Sequence, residues 1–389
     1  MRFIYICRCC LNTNSGVNKK ILSQIRNIKK LNIECELYCI CSSENGFFKD
    51  INIKIIKISG IENPNSIFKK IKREHFVNLA TKNILSQLTN QDIVYLRNPY
   101  PFFEVSRIMR KSRGCKIVIE YQTIEPLEFR LNRKYWYLFL DFLFGNSIRH
   151  YSDAIVGVTN EITQYQLKRC EYHDKPHITV GNGIDVASVP LKHYTSQTVH
   201  NLHLLFVANV SRWHGIDRLA LGLANYDGPI NITLHIAGKG AELPNLNRLI
   251  KDCKISEKII FHGFTAGAAL DNLFNTCHIA VGSLGIHRIG LTESSTLKVR
   301  EYCARGIPWI IACKDPDFPD DFPYIHRIPA DESPVRIEEV IEFAKRVYAD
   351  PDHPQKMREY AVEHLDWSVK MKKLKAFLES LVEESPSEA

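Results

Sequence analysis

Glu293, Lys298 and Glu301, in the run ESSTLKVRE, are the residues whose types and spacing best fit ligand chemistry. Ser294, Ser295 or Thr296 suits the cap of a helix starting there, since a short hydroxyl side chain accepts from the free amides of a first turn. Gly306 and Pro308 then stop that helix. Lys298 falls in the first turn, where the helix dipole favours anions and disfavours cations. Its charge is out of place in an ordinary helix. Residues eight apart on an ideal helix lie about 12 Å apart along the axis. With Glu293 ahead of the helix and Glu301 inside it, the carboxylates can bracket a ligand the size of a nucleoside diphosphate. Lys298 and Glu301 share a face, whereas Arg300 points elsewhere and reads as structural.

Other loops offer weaker chemistry. Gly16, in NTNSGVNKK, allows close backbone approach at a helix N-terminus, a place for an anion or a substrate oxygen; an ordinary strand–helix turn explains it equally. The loop is not GxGxxG and no acid closes the second strand, which disfavours a dinucleotide site. The GKG at 238–240 is compatible with simple turn chemistry. In VANVSRWHGIDRL, Arg212 and His214 suit a phosphate and suit a solvated loop equally. His287 and Arg288, just ahead of Glu293, are within reach of the same anion.

The elements that must position these residues alternate between strand-like and helical patterns. RFIYICRC, IECELYCI, IVYLR, KIVIEY, DAIVGVT and HITVGNG read as strands, and helical segments such as VNKKILSQIRNIKKLN fall between them. The polar stretch 185–201 marks an inter-domain link, after which LHLLFVANV, ITLHIAGKG, KIIFHGF, HIAVGSL and PWIIACK repeat the pattern. Strands alternating with helices predict parallel sheets covered on both faces, with ligands beyond the carboxyl ends of the strands. Two such domains place the natural site in the cleft between them.

Charge is unevenly spread. Residues 1–100 hold 16 Lys/Arg against 7 Asp/Glu, a net +9, and the remainder holds 35 against 36. A solvated basic face or an anionic membrane surface or acceptor fits this excess. Nucleic acid is not expected, because no zinc-finger, RRM-like or helix-turn-helix signature accompanies the charge. The 12 cysteines lack CxxC zinc spacing, and no secretory signal is apparent, so reduced thiols in a cytosolic protein are expected and a metal site is not. No run reaches the length of a spanning helix. YWYLFLDFLFG (135–145), broken by Asp141, suits either a buried core helix or one lying in a membrane interface with its aromatic rings at headgroup depth.

Glu293-x7-Glu301 followed by YCARGIP resembles the signature of the family-4 retaining glycosyltransferases, and LKVREYCARGIP resembles the branch that builds bacterial capsular and other surface polysaccharides. SGVNKK, IVIEYQTIEPLEF, VGNGID, RWHGIDRL, IAGKG, IIFHGF and HLDWSVKMKKL extend the resemblance over most of the chain. It implies an α/β GT-B fold: two doubly wound Rossmann-like domains facing a central cleft, with an acceptor-side domain over 1–190, a donor-binding domain over 191–353, and a helical segment, 354–389, returning to the first. Glu293 would bind sugar hydroxyls of a nucleotide-diphosphate sugar, and Glu301 the ribose hydroxyls. Amides near Ser295, Thr296 and Leu297 would cradle the diphosphate, Gly263 and Phe264 would flank the base, and the Gly16 loop would approach across the cleft.

The resemblance further implies retention of anomeric configuration and no metal or cofactor beyond the co-substrate, with a glycan or lipid-linked acceptor. Such an enzyme is expected in the cytoplasm, or peripherally on the inner face of the plasma membrane. Glu120, Glu125 and Glu128 fit an acceptor-orienting role or salt bridges and caps. The family's usual Arg and Lys, five apart after the first strand of the donor domain, are replaced by Asn209 and His214. Lys298, with Arg212 or His214, is the expected substitute for that diphosphate clamp. An inactive assembly protein, an epimerase or a phosphorylase of the same fold is the alternative.

Overall fold

The structure, a computed structural model, describes residues 1–8, 16–41, 51–57, 67–97, 103–111, 114–170, 174–193 and 201–383. The chain forms two compact units, Met1–Gly181 with Trp367–Ala389, and Asn182–Asp366. The first begins β1 (Arg2–Cys7), α1 (Gly16–Lys30), β2 (Glu34–Cys41), β3 (Ile53–Lys57), α2 (Ile67–Leu85), β4 (Asp92–Arg97), α3 (Phe103–Lys111) and β5 (Lys116–Tyr121). It continues α4 (Glu125–Leu131), α5 (Tyr135–Tyr151), β6 (Ala154–Gly157), α6 (Asn160–Lys168) and β7 (His177–Thr179). Its strands pair in parallel in the order β3-β2-β1-β4-β5-β6-β7. Interior strands such as β1 and β4 are almost wholly buried, the near-continuous apolar run of a sheet covered on both faces.

The second unit runs β8 (Asn201–Val207), α7 (Ile216–Asn225), β9 (Asn231–Ala237), α8 (Leu243–Asp252), β10 (Ile259–Gly263), α9 (Ala268–Thr276) and β11 (Ile279–Val281). It continues α10 (Leu297–Arg305), β12 (Trp309–Ile311), β13 (Ile325–Arg327), α11 (Ile337–Tyr348) and α12 (His353–Tyr360). Its parallel sheet has the order β10-β9-β8-β11-β12-β13, so strand order reverses between β8 and β11. A crevice opens at such a reversal, beyond the strand ends. One core lies under α7, α8 and α11; a second packs Val299, Tyr302, Cys303 and Ala304 of α10 against Phe274, Trp309 and Met357.

The chain re-enters the first unit as α13 (Trp367–Glu383), where Lys375 Nζ caps the Leu31 carbonyl after α1 at 3.3 Å. The units change over after Gly181 and after Asp366, where the sequence put the boundaries near 190 and 353. The cause is local. Ile184 pairs with Asp366, and Arg358 of α12 binds the carbonyls of Val186 and Val189 at 2.7 Å, tying both segments to the second unit. Two strands had no clear sequence signal: β3 is a half-exposed edge carrying Lys54 and Lys57, and β13 has three residues.

Candidate anion site at the start of α10

The start of α10 is held from behind. Arg300, fully buried, donates to the Asn182 carbonyl at 2.9 Å and pairs with Asp315 and Asp317. Asn182 in turn donates its amide to Ser295 Oγ at 2.8 Å and its side-chain amide to the Ser295 carbonyl. Glu293 bridges to Lys314 in a strand-like segment, with Lys314 N bonded to Thr292 O and Ser294 N to Lys314 O, each at 2.9 Å. Arg300 is therefore a scaffold, on the side of the helix away from the helix start's open face.

With the hydroxyls engaged this way, none caps α10, contrary to expectation. Ser295 Oγ accepts from Asn182, Ser294 Oγ accepts from the Cys313 thiol at 3.4 Å, and Thr296 stands at the cap position without a cap bond. Its hydroxyl is buried and unpartnered. So is the Lys298 ammonium, which lies 4.6 Å from the centre of the Phe206 ring. Its stem is partly exposed while the nitrogen is out of water. Two orphaned donors thus lie in the first turn of a helix that no side chain caps, an arrangement expensive to leave unsatisfied and suited to an anion.

Burial, offset only slightly by Cys313, lowers the Lys298 ammonium to about 7. Its neighbours carry no charge. Burial and then Lys298 itself hold His214 far below its ordinary value. The His214 Nδ1 accepts the Ser211 amide at 3.0 Å, which leaves the proton on Nε2. Burial raises the Cys313 thiol to about 12. His214, in the single 3-10 turn Arg212–His214, is thus a neutral hydrogen-bond donor rather than a second charge, because it is buried in contact with Phe206 and Trp213.

The other loops gather at the carboxyl ends of β8, β9 and β10. Gly238 N bonds Gly263 O, and Val210 N bonds Lys239 O, both at 2.6 Å. A Cβ at Gly238 or Gly240 would run into the carbonyl oxygens of Ala208 and Val210, so this close approach requires glycine. Phe264, just past β10, is 61% exposed and free to meet a flat ligand. Asn209 and Arg212 are exposed. Arg288 is committed elsewhere, to Asp217 at 2.7 Å and Glu332 at 2.6 Å, and His287 joins Glu332 at 2.8 Å. Glu301 takes Arg305 at 2.9 Å rather than Lys298.

In the first unit, Gly16 opens α1; the loop before it lies outside the described residues. Glu120 is buried against Lys20 at 3.0 Å and Arg97 at 3.9 Å; burial opposes its charge, but these cations bring it below the ordinary carboxylate range. Burial raises Glu125, which pairs with Arg149 at 3.1 Å and Gln166 at 2.8 Å. Both carboxylates are engaged inside the domain, and Glu128 is half-buried in α4. Sequence reasoning missed Asn182 and Phe206: the only hint of Asn182 was the VGNGID run, and Phe206 looked like any core residue of a strand. Among the described residues no cluster of three or more metal-ligating side chains occurs, and the described cysteines are unbridged.

Residues 199–364 match the family model described as Glycosyl transferases group 1. The match covers most of the second unit and less than half of the chain. No curated protein matches the sequence. Solved structures match it over nearly its whole length. A lipopolysaccharide outer core galactosyltransferase, WaaB, is 16% identical with a TM-score of 0.66, covering 98% of this chain and 99% of that one. Sucrose-phosphate synthase from Thermosynechococcus elongatus is 12% identical with a TM-score of 0.69, covering 99% and 100%. The Anabaena protein HepE, in complex with UDP and glucose, is 13% identical with a TM-score of 0.65, covering 98% and 100%. Likeness at these identities is one of fold, and the chain has the GT-B fold.

Proposed function

We propose that the protein is a retaining, metal-independent glycosyltransferase of family 4. In this reading it moves a sugar from a nucleoside-diphosphate sugar to a glycan or lipid-linked acceptor, in the cytoplasm, during synthesis of a bacterial surface polysaccharide. The observation that carries the reading is the uncapped start of α10, where the Lys298 ammonium and Thr296 hydroxyl are buried without partners between Glu293 and Glu301. The diphosphate lies against Lys298 and the amides following Ser295, Thr296 and Leu297; His214 donates from Nε2. Glu293 takes sugar hydroxyls and Glu301 ribose hydroxyls, with the base near Gly263 and Phe264. HepE and the pneumococcal O-GlcNAc transferase GtfA, both solved with UDP, support a uridine nucleotide as the first donor to try.

Transfer breaks the bond from the anomeric carbon to the diphosphate oxygen while the acceptor oxygen forms its bond on the same face. The acceptor proton passes to the departing diphosphate. Positive charge and amide dipoles fixed in advance stabilise that leaving group as it develops charge, and need no reorganisation during the reaction. The test is a thermal-shift screen of UDP- and GDP-sugars, followed by hydrolysis and transfer assays with whichever stabilises the protein. Wild-type turnover that falls in Glu293→Ala, with nucleotide affinity falling in Glu301→Ala, is expected. Absence of turnover together with unchanged nucleotide affinity in both variants would sink the proposal in favour of an inactive assembly protein.

A further inference from the structure

Helix α5 is built inside out. Tyr135, Trp136, Phe139, Phe142 and Leu143 are exposed, Tyr135 by 62% and Phe142 by 80%, whereas Asp141 and Arg149 are buried. On a helix turning about 100° per residue, the exposed set falls within an arc of about 120°. The result is an apolar stripe over residues 135–143, ending at the exposed Asn146, where a surface helix ordinarily carries polar side chains. Single exposed apolar residues need no explanation, but a contiguous patch marks an interaction surface. The charged Asp141 and Arg149 of α5 have turned inward: Asp141 pairs with Arg149 and Arg169, and Arg149 with Glu125 and Gln166. The sequence expectation of a buried core helix therefore holds for only one side of α5.

The stripe is bordered by cations. Helix α3 packs on α5 and exposes Arg107, Arg110 and Lys111. These three line a groove of about 900 Å³ whose other wall is Leu143, Phe144 and Tyr151 of α5. Arg130, Leu131 and Arg133 are exposed just ahead of α5. The acids nearby are neutralised or set back: Glu104 is bonded to His75 and Asn78 of α2, Glu125 and Asp141 are buried in ion pairs, and Glu128 is half-buried.

We propose that this face of the first unit docks on an anionic lipid bilayer. The aromatic stripe of α5 enters the interface with the helix lying along the membrane plane, and Arg107, Arg110 and Lys111 hold lipid phosphates at its edge. Amphipathic aromatic rings flanked by cations suit the boundary between acyl chains and headgroups. The net +9 of residues 1–100 adds a long-range attraction to an extended anionic surface. No described helix is long and apolar enough to cross a membrane, so the attachment is peripheral. This inference is independent of the donor reading, and its test needs no activity.

The full-length protein is floated with vesicles of phosphatidylcholine alone and of phosphatidylcholine containing phosphatidylglycerol. Wild type floats with the anionic vesicles only, and less as salt rises. Arg110→Ala/Lys111→Ala weakens binding about 25-fold, roughly fivefold per charge. Phe139→Ser/Phe142→Ser abolishes it, and both variants unfold thermally like wild type because the altered residues are exposed. Anionic vesicles shift wild-type tryptophan emission to the blue, and Trp136→Phe removes that shift. Wild type that ignores lipid charge, or double variants that bind like wild type, overturns the proposal. So does a lipid-free dimer that Phe142→Ser dissolves while vesicle binding stays intact, which would make the stripe a contact between copies.

Discussion

Nucleotide binding to this protein should take up a proton, and Lys298 should be the group that takes it. Burial holds its ammonium at about 7. A diphosphate placed against it favours the charged form and raises that value. The sign follows: the complex holds more protons than the free protein, so affinity falls as pH rises above about 7. With a free value near 7, about half of Lys298 is neutral at pH 7 and about 99% at pH 9. If the bound value lies above that range, UDP affinity drops about 50-fold between pH 7 and pH 9, and uptake approaches about one proton per nucleotide. Titration calorimetry in two buffers of different ionisation enthalpy reads the proton directly. Lys298→Met loses the linkage together with about 10- to 100-fold in affinity, the worth of a charge-assisted hydrogen bond. Lys298→Arg retains most of the affinity and loses the pH dependence. Wild-type binding without buffer-dependent heat, or linkage that survives Lys298→Met, would refute the argument.

Other consequences can be checked on the same protein. Arg300→Met strands the buried Asp315 carboxylate and should cost about 3–5 kcal/mol in urea unfolding, whereas Lys298→Met, which removes an unpartnered buried ammonium, should cost nothing or stabilise. Equal costs would mean that the two faces of α10 have been misassigned. Gly240→Ala forces a methyl group against the Val210 carbonyl and should lose about 1–3 kcal/mol together with nucleotide affinity; an unchanged melting temperature would contradict this. Across the second sheet, His203, His235 and His262 form a chain of hydrogen bonds of 3.0 and 2.9 Å, and His278 Nδ1 accepts the His203 amide at 2.8 Å. Burial lowers His235 to about 4 and His278 to about 3, so the unfolded chain binds protons first. Stability should be full above about pH 6.5 and fall toward pH 4. Denaturant titrations across that window should show a shallower fall in His235→Leu than in wild type.

The sheets were legible because strands buried on both faces must be almost wholly apolar, and such runs stand out between helices. The turn at Gly306 and Pro308 and the spacing of Glu293 and Glu301 were legible for similarly local reasons. Side-chain commitments were not. Arg288 sits just ahead of Glu293 in sequence, yet two carboxylates from distant segments, Asp217 and Glu332, claim it. Glu120 and Glu125 look presentable in a strand-end loop, yet Lys20, Arg97 and Arg149 reach them through the fold. His214 read as a cation until packing against Phe206 and Trp213 removed its water. In α5, periodicity could not say which side of an apolar helix would meet the core, because Asp141 marks the buried side only once Arg149 and Arg169 are seen to surround it.

Lys298 and Arg300 show what separates a site from its support. Both are basic, two residues apart, in the first turn and a half of one helix, and both have a buried charged group. Arg300 meets two aspartates and a carbonyl, so its charge is neutralised where it lies, and the two aspartates together outweigh the effect of burial and raise its proton affinity. Lys298 meets an aromatic face and an uncharged histidine, so burial lowers its proton affinity and leaves its hydrogens unclaimed. A fold that needed only a helix at this position would gain by replacing Lys298 with a methionine of similar length. Keeping an ammonium there makes sense when an anion arrives to complete it, and the rigid cradle of Arg300, Asn182 and Ser295 fixes where that anion must bind.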